Sequence, residues 1–358
     1  MSLKEDIEII KNLTEIQSCS GNESKIREYI IGLVEPYCTK TETDILGNLF
    51  CTIEGTEKQD RRIKVLLDAH MDEIGFMVRY IDKNGFIRFS QVGGQNPRIL
   101  PGQKVTIHSS SGEDLLGVIG ETPIHLLQPE ERKKAAKLED LFIDIGMENI
   151  KQVKKLVSIG DYITLNEECV VFKGGKRICS KAFDDRAGCF VLVKLIKALS
   201  EQKERLNKDF VFQFASQEEI GVRGATVGAF KIFPDFAIVV EVTHAIDFPG
   251  ISKDKHYECN LGSGVSINVG PNLHPKLSKM LIEIAKKERI PFVLEAEPRP
   301  TPTDARAIQM TKTGIPCALV ATPVRYMHTN IEVIDYKDLI HTVNLLKAFL
   351  FQDVDFSF

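Results

Sequence analysis

Four short, nearly continuous apolar runs constrain this chain more than any other feature: residues 63–67 (IKVLL), 210–214 (FVFQF), 236–240 (FAIVV) and 317–320 (CALV). They do not alternate apolar with polar, which is the pattern of strands covered on both faces. Helical patterns lie between and after them, at 187–199, 275–287 and 336–351, so strands and helices alternate as in an α/β sheet with crossover connections. Near the N-terminus, Ser20-Gly21-Asn22-Glu23 has the spacing of a capping box ahead of a helix running to about Val34.

Residues 73–163 have a different texture. Short runs (FMVRYI, GFIRFSQV, QKVTIHS, LLGVIGE, FIDIG) are separated by turn signals at Asn84-Gly85, Gly93-Gly94 and Pro101-Gly102. Short strands at this spacing predict a small barrel or sandwich. The simplest organisation is an α/β domain, 1–72 and 164–358, interrupted by a β domain at 73–163.

Composition narrows the function. The 46 Lys and Arg residues nearly balance 50 Asp and Glu, a net charge of −4, which leaves no clustered basic footprint for nucleic acid. The densest basic patch, EERKKAAK at 130–137, carries its own acids and reads as a solvated helix face. No apolar run approaches the roughly 20 residues that cross a bilayer, and the N-terminus lacks the apolar stretch of a secretory signal. The eight cysteines are scattered with no C-x-x-C pair, which favours reduced thiols over a zinc knuckle or a disulfide framework. A cytoplasmic location is expected.

The apolar runs lead into ionisable groups. Residues 63–67 run into Asp68-Ala69-His70-Met71-Asp72, residues 210–214 into Glu218-Glu219, residues 236–240 into Glu241, and residues 317–320 lead through a short loop to His328. A fifth group, Asp184-Asp185-Arg186, precedes the helical pattern at 187. Carboxyl ends of strands in open α/β sheets face one crevice, so five segments would deliver two imidazoles and several carboxylates to one place. Crowded acids repel one another and take up protons unless cations hold them. A mixed His and carboxylate set of this size suits two divalent ions better than one structural zinc. Of two adjacent acids such as Glu218 and Glu219, one can serve as base and the other as ligand.

Each group also has a plain reading. His-x-Asp is commonly a surface pair, Asp-Asp before a helix suits the helix dipole, Glu-Glu is commonly a solvated face, and Glu241 or His328 alone can be an ordinary cap or loop residue. Joint occurrence at strand ends separates the functional reading from these.

At these residues the chain resembles the M42 family of metallo-aminopeptidases, which includes tetrahedral and glutamyl aminopeptidases and proteins labelled endoglucanase M. The matching stretches are AHMDEIGFMV (69–78), VGGQNPRILPGQKV (92–105), RKKAAKLEDLFIDIG (132–146), SKAFDDRAG (180–188), QEEIGVRGA (217–225), EVTHA (241–245), PTDARAIQ (302–309) and RYMHT (325–329), spread over nearly the whole chain. The resemblance implies a Zn-peptidase-like mixed sheet with an inserted, PDZ-like small β-barrel that serves oligomerisation and access. It assigns His70, Asp184, Glu219, Glu241 and His328 as metal ligands, with Asp184 bridging two ions. Zinc or cobalt is expected there, with manganese as the alternative. It makes Glu218 the general base and acid, and Asp72 the acid that orients His70. It also implies short peptide substrates, no nucleic-acid or membrane partner, and dimers assembling into a tetrahedral dodecamer.

Three positions depart from the family pattern. Glu241 stands where Asp is usual and reaches one methylene further. Pro302 replaces a Gly beside the site and fixes φ. Gln95 replaces an aromatic and is expected to be neutral. Arg299, Arg306 and Lys253 are each candidates for favouring an acidic substrate side chain. Competing activities are another dinuclear amidohydrolase or deacylase, a glycosidase, and an inactive assembly homologue. A glycosidase needs two carboxylates flanking the bond and no metal, and this chain has no Trp for a sugar platform.

Overall fold

The computed structural model describes residues 3–56, 61–130, 132–252 and 257–353, with the backbone alone at Arg205. The apolar runs form the centre of an eleven-stranded mixed sheet. Strands Lys208–Ala215, Ile63–His70, Phe236–His244 and Cys317–Arg325 lie side by side and parallel. All four extend beyond their apolar runs, so Glu241 lies within its strand rather than after it. Antiparallel strands flank them, Leu49–Ile53 at one side and Glu332–Asp335 at the other, and the parallel pair Val265–Val269 and Phe292–Ala296 branches off Cys317–Arg325.

Continuous apolarity has a direct cause. On one face Val65, Leu67, Ala69, Phe210, Phe212, Phe214, Ile238 and Val240 pack against helices Phe183–Ser200 and Tyr336–Leu350. On the other, Leu66, Val211, Ala237, Val239 and Leu319 pack against Ala225, Ala229, Ala305 and Ile308 of two shorter helices. Successive side chains point to opposite faces, so covering both faces demands apolar residues at every position.

Six antiparallel strands, Gly75–Ile81, Ile87–Val92, Lys104–His108, Asp114–Gly120, Phe142–Asp144 and Tyr162–Leu165, close into a barrel around Phe76, Phe89, Ile107, Ile143 and Ile163. The last strand lies across the junction expected at residue 163. Fold class is therefore as the sequence indicated, a mixed α/β sheet with a small closed barrel.

Two local expectations fail. The second helix begins at Ser24, with Glu23 at its cap position, and makes no capping box. Instead the Ser20 hydroxyl donates to Asp72 Oδ2 at 2.5 Å, while Glu23 accepts from the Gly21 and Gln217 amides. Tertiary partners outbid the local cap. The basic patch at 130–137 is no helix face: its described residues form exposed turns and irregular backbone.

Candidate metal centre and its cavity

The sheet register lines up the strand ends. Ala215 pairs with His70, Val239 with Asp68, and Glu241 with Ala321, so His70 and Glu241 emerge beside one another and the Glu218-Glu219 loop follows one strand over. From the side, helix Phe183–Ser200 brings Asp184 and Asp185 in its first turn, where the backbone leaves helical geometry. His328 enters from the loop after Cys317–Arg325 with a left-handed φ of 61°. Left-handed φ also occurs at Ala182, Gln217, Val222 and Tyr326, all on segments that carry the site. Such positions cost of order 1–3 kcal/mol each for a residue with a Cβ, and persist where surrounding structure holds them.

Asp184 lies between the two imidazoles. Its Oδ1 is 3.0 Å from His70 Nε2 and its Oδ2 3.1 Å from His328 Nε2. Around it, ligand atoms of His70, Asp185 and Glu241, of His70, Glu218 and Glu219, and of Asp184, Glu219 and His328 fall into three groups, each within 4.8 Å. Of the residues that the sequence and the resemblance nominated, His70, Asp184, Glu218, Glu219, Glu241 and His328 are brought together in these groups, and Asp72 stands behind His70 outside them. Asp185, to which sequence reasoning gave no role, is buried in the group with His70 and Glu241; its adjacency to Asp184 was the available signal.

Asp72 is placed somewhat differently from the expectation. His70 Nδ1 lies 3.1 Å from the backbone carbonyl of Asp72 and 3.5 Å from its carboxylate Oδ1. The carboxylate also receives the amides of Glu218 at 3.0 Å and Glu219 at 3.2 Å, so it holds the acid loop as well as the imidazole. Glu332 was not anticipated either. It is buried and accepts the amides of Asp184 and His328, tying together two segments 144 residues apart in sequence.

Electrostatics separates the groups. Burial pushes Glu218 up to about 9 and Glu332 up to about 8, and raises Glu219. Burial and the neighbouring Asp185 carry Glu241 well above the carboxylate range. Burial alone would lower His328, but Asp184 and Glu219 override it and lift it to about 11. In Asp184 the order reverses: burial raises it, and the two imidazoles outweigh burial and hold it low. Crowded buried acids favour their protonated forms, and a bound cation favours the charged ones. Glu219 Oε1, 3.4 Å from His328, and Asp185 Oδ2 are buried without a hydrogen bond. The donor set of imidazoles and carboxylates fits a hard-to-borderline divalent ion.

The groups open onto a cavity of about 590 Å³ lined on its far side by Thr243, Asn268, Glu295 and Thr301. Pro302 stands on its wall and Arg306, exposed, at its rim. Arg299 is exposed and does not line it, and Lys253 lies outside the described residues. Gln95 is buried with neither side-chain polar atom hydrogen-bonded, while its neighbour Gly94 lies against His328, where a Cβ would come within 3.3 Å of Nδ1. Among the described residues, no helix is long and apolar enough to cross a membrane.

The chain is similar over nearly its whole length to known aminopeptidases. The family model described as M42 glutamyl aminopeptidase matches residues 47–345. A putative aminopeptidase of Acetivibrio thermocellus is 36% identical over 97% of this chain and 98% of its own. The lysyl aminopeptidase of Pyrococcus furiosus is 33% identical over 96% of both. Among solved structures, an aminopeptidase from the archaeon Desulfurococcus kamchatkensis superposes with a TM-score of 0.90 at 34% identity, over 98% of this chain and 96% of that one. The TET1 peptidase of Pyrococcus horikoshii, described as assembling into a tetrahedron or a large octahedral shell, gives 0.84 at 30% identity over 97% and 99%. On this match and these relatives, the chain belongs to the M42 family of aminopeptidases.

Proposed function

We propose that this chain is a two-metal aminopeptidase that removes N-terminal residues from short peptides. The observation that supports it best is Asp184, whose two oxygens reach two different imidazoles at 3.0 and 3.1 Å. One carboxylate facing two ligand sets is the arrangement of a bridge between cations. His70 and Glu241 would hold one ion, Glu219 and His328 the other, with Asp185 beside the first set. Zinc or cobalt suits these donors, with manganese as the alternative. Two ions bound there would polarise the scissile carbonyl and lower the pKa of the attacking water.

The protein's own groups do the remaining work. Glu218 lies in one group with His70 and Glu219 and faces the cavity. It takes the water's proton and returns it to the departing amine. Asp72 fixes the His70 ring and, through the two amides it accepts, the position of Glu218. Residues 73–163 act as an inserted domain governing assembly and access, with 1–72 and 164–358 carrying the chemistry. Leu116 and Val118 on the barrel, with Ile124 and Leu126 beyond it, are exposed apolar residues that suit contact between copies in a TET-like homo-oligomer. The protein would work in the cytoplasm.

Glu218→Gln tests the role assignment. It should retain fold and metal stoichiometry while kcat on an aminoacyl chromogenic substrate falls by at least about 10²-fold. Full activity in that variant would remove Glu218 from the mechanism.

A further inference from the structure

Beyond the metal groups, the cavity continues along the strand Phe236–His244. Glu241 and Thr243 point to the same face, two residues or about 7 Å apart. The Thr243 hydroxyl contacts both oxygens of Glu295, at 2.9 and 2.8 Å, and the Ser266 hydroxyl donates to Glu295 Oε2 at 2.8 Å. Glu295 is thus buried on the wall of the cavity that the metal groups share, and its hydrogen bonds come from hydroxyls. Among the described residues no Lys or Arg pairs with it. A buried carboxylate without a cation is costly, and an incoming cation would relieve it.

A second feature points the same way. Asn268 pairs in register with Glu295 on the neighbouring parallel strand and lines the same cavity. It is 2% exposed, and its Oδ1 receives no hydrogen bond. Glu297, half-buried, adds a third acceptor on the wall. An ammonium brings three donors and no acceptor, which matches a carboxylate and an open amide oxygen side by side. Arg306 is exposed at the rim, where solvent screens it.

We infer that this part of the cavity receives the side chain of the substrate's N-terminal residue, and that Glu295 and Asn268 select a cationic one, lysine or arginine. The four-carbon stem of lysine would lie along this cavity from a backbone at the metal groups, with the ammonium paired to Glu295. Arg299 and Arg306 therefore do not turn the pocket toward acidic substrates. This inference rests on the aminopeptidase reading, and the experiment separates the two.

Metal-loaded protein is assayed with lysyl, arginyl, norleucyl, leucyl and glutamyl p-nitroanilides. The lysyl substrate should exceed norleucyl, its uncharged counterpart, in kcat/KM by roughly 30-fold or more, as expected for a buried charge pair. Glu295→Gln should collapse that ratio by a similar factor, and Glu297→Lys, on a more exposed group, should lower it and raise the glutamyl rate. Equal or better turnover of norleucyl or glutamyl substrates would overturn the inference and leave the aminopeptidase reading intact. Inactivity toward the whole panel would count against that reading instead. Should Glu295→Gln not fold, calorimetry of wild-type protein with free lysine and norleucine decides: lysine should bind at least about tenfold tighter, and equal binding rejects the pocket.

Discussion

At the scale of single residues, Asp184 and its neighbours divide into groups that want a charge and groups that have lost one. Glu218, at about 9, carries a proton at neutral pH when no cation is near, Glu219 and Glu241 are pushed in the same direction by burial, and His328, at about 11, is a cation itself. A metal ligand must be deprotonated, so binding has to expel those protons. Affinity for zinc should therefore rise from pH 6 to pH 8, and calorimetry at pH 7 in two buffers of different ionisation enthalpy should register net proton release. Identical heats in both buffers would contradict this charge assignment. His70, Glu219, Glu241 and His328 were legible because each follows an apolar run in the sequence, and the topology rule then points them into one crevice. Glu332 was not. Its role is defined by two amides from distant segments, and nothing local to it signals that partnership.

At the scale of elements, the helix Phe183–Ser200 is the hub, and Arg186 shows why its first turn matters beyond the acids. This guanidinium is buried and donates to the carbonyls of Leu13, Ile16 and Ser18, closing the C-terminal end of helix Leu3–Glu15, whose last turn has no basic residue. Read from sequence, Asp-Asp-Arg looked like one chemical group, whereas the structure sends the acids to the site and the Arg to another helix. Arg186→Ala strands the carbonyls of Leu13, Ile16 and Ser18 and leaves Glu73, 3.9 Å away, with Lys181 as its remaining cation among the described residues. It should cost about 3 kcal/mol or more in chemical denaturation. A loss under about 1 kcal/mol would mean water replaces the guanidinium. The helix and strand types were legible because periodicity is local. The failed capping box at Ser20 was not, since its hydroxyl is claimed by Asp72 across 52 residues.

At the scale of the whole molecule, the sheet and the barrel have separate cores, and the site lies at the carboxyl ends of the sheet strands. Fold class could be read from texture alone, because buried parallel strands and small-barrel strands demand different residue patterns. Assembly could not, since an interface pattern on a barrel surface looks like scattered exposed apolar residues. If Leu116 and Val118 meet another copy, the purified protein should elute as a multiple of its 40.2 kDa chain, and Leu116→Glu with Val118→Glu should reduce it. A monomer at micromolar concentration would argue against that face.

The central claim is that Asp184 spans two cations. Anomalous diffraction from crystals of metal-loaded protein tests it most directly. Two peaks about 3.5–4 Å apart are expected, one beside His70 and Glu241 and one beside Glu219 and His328, with an Asp184 oxygen on each. A single peak under saturating metal, or two peaks that Asp184 does not join, would contradict it.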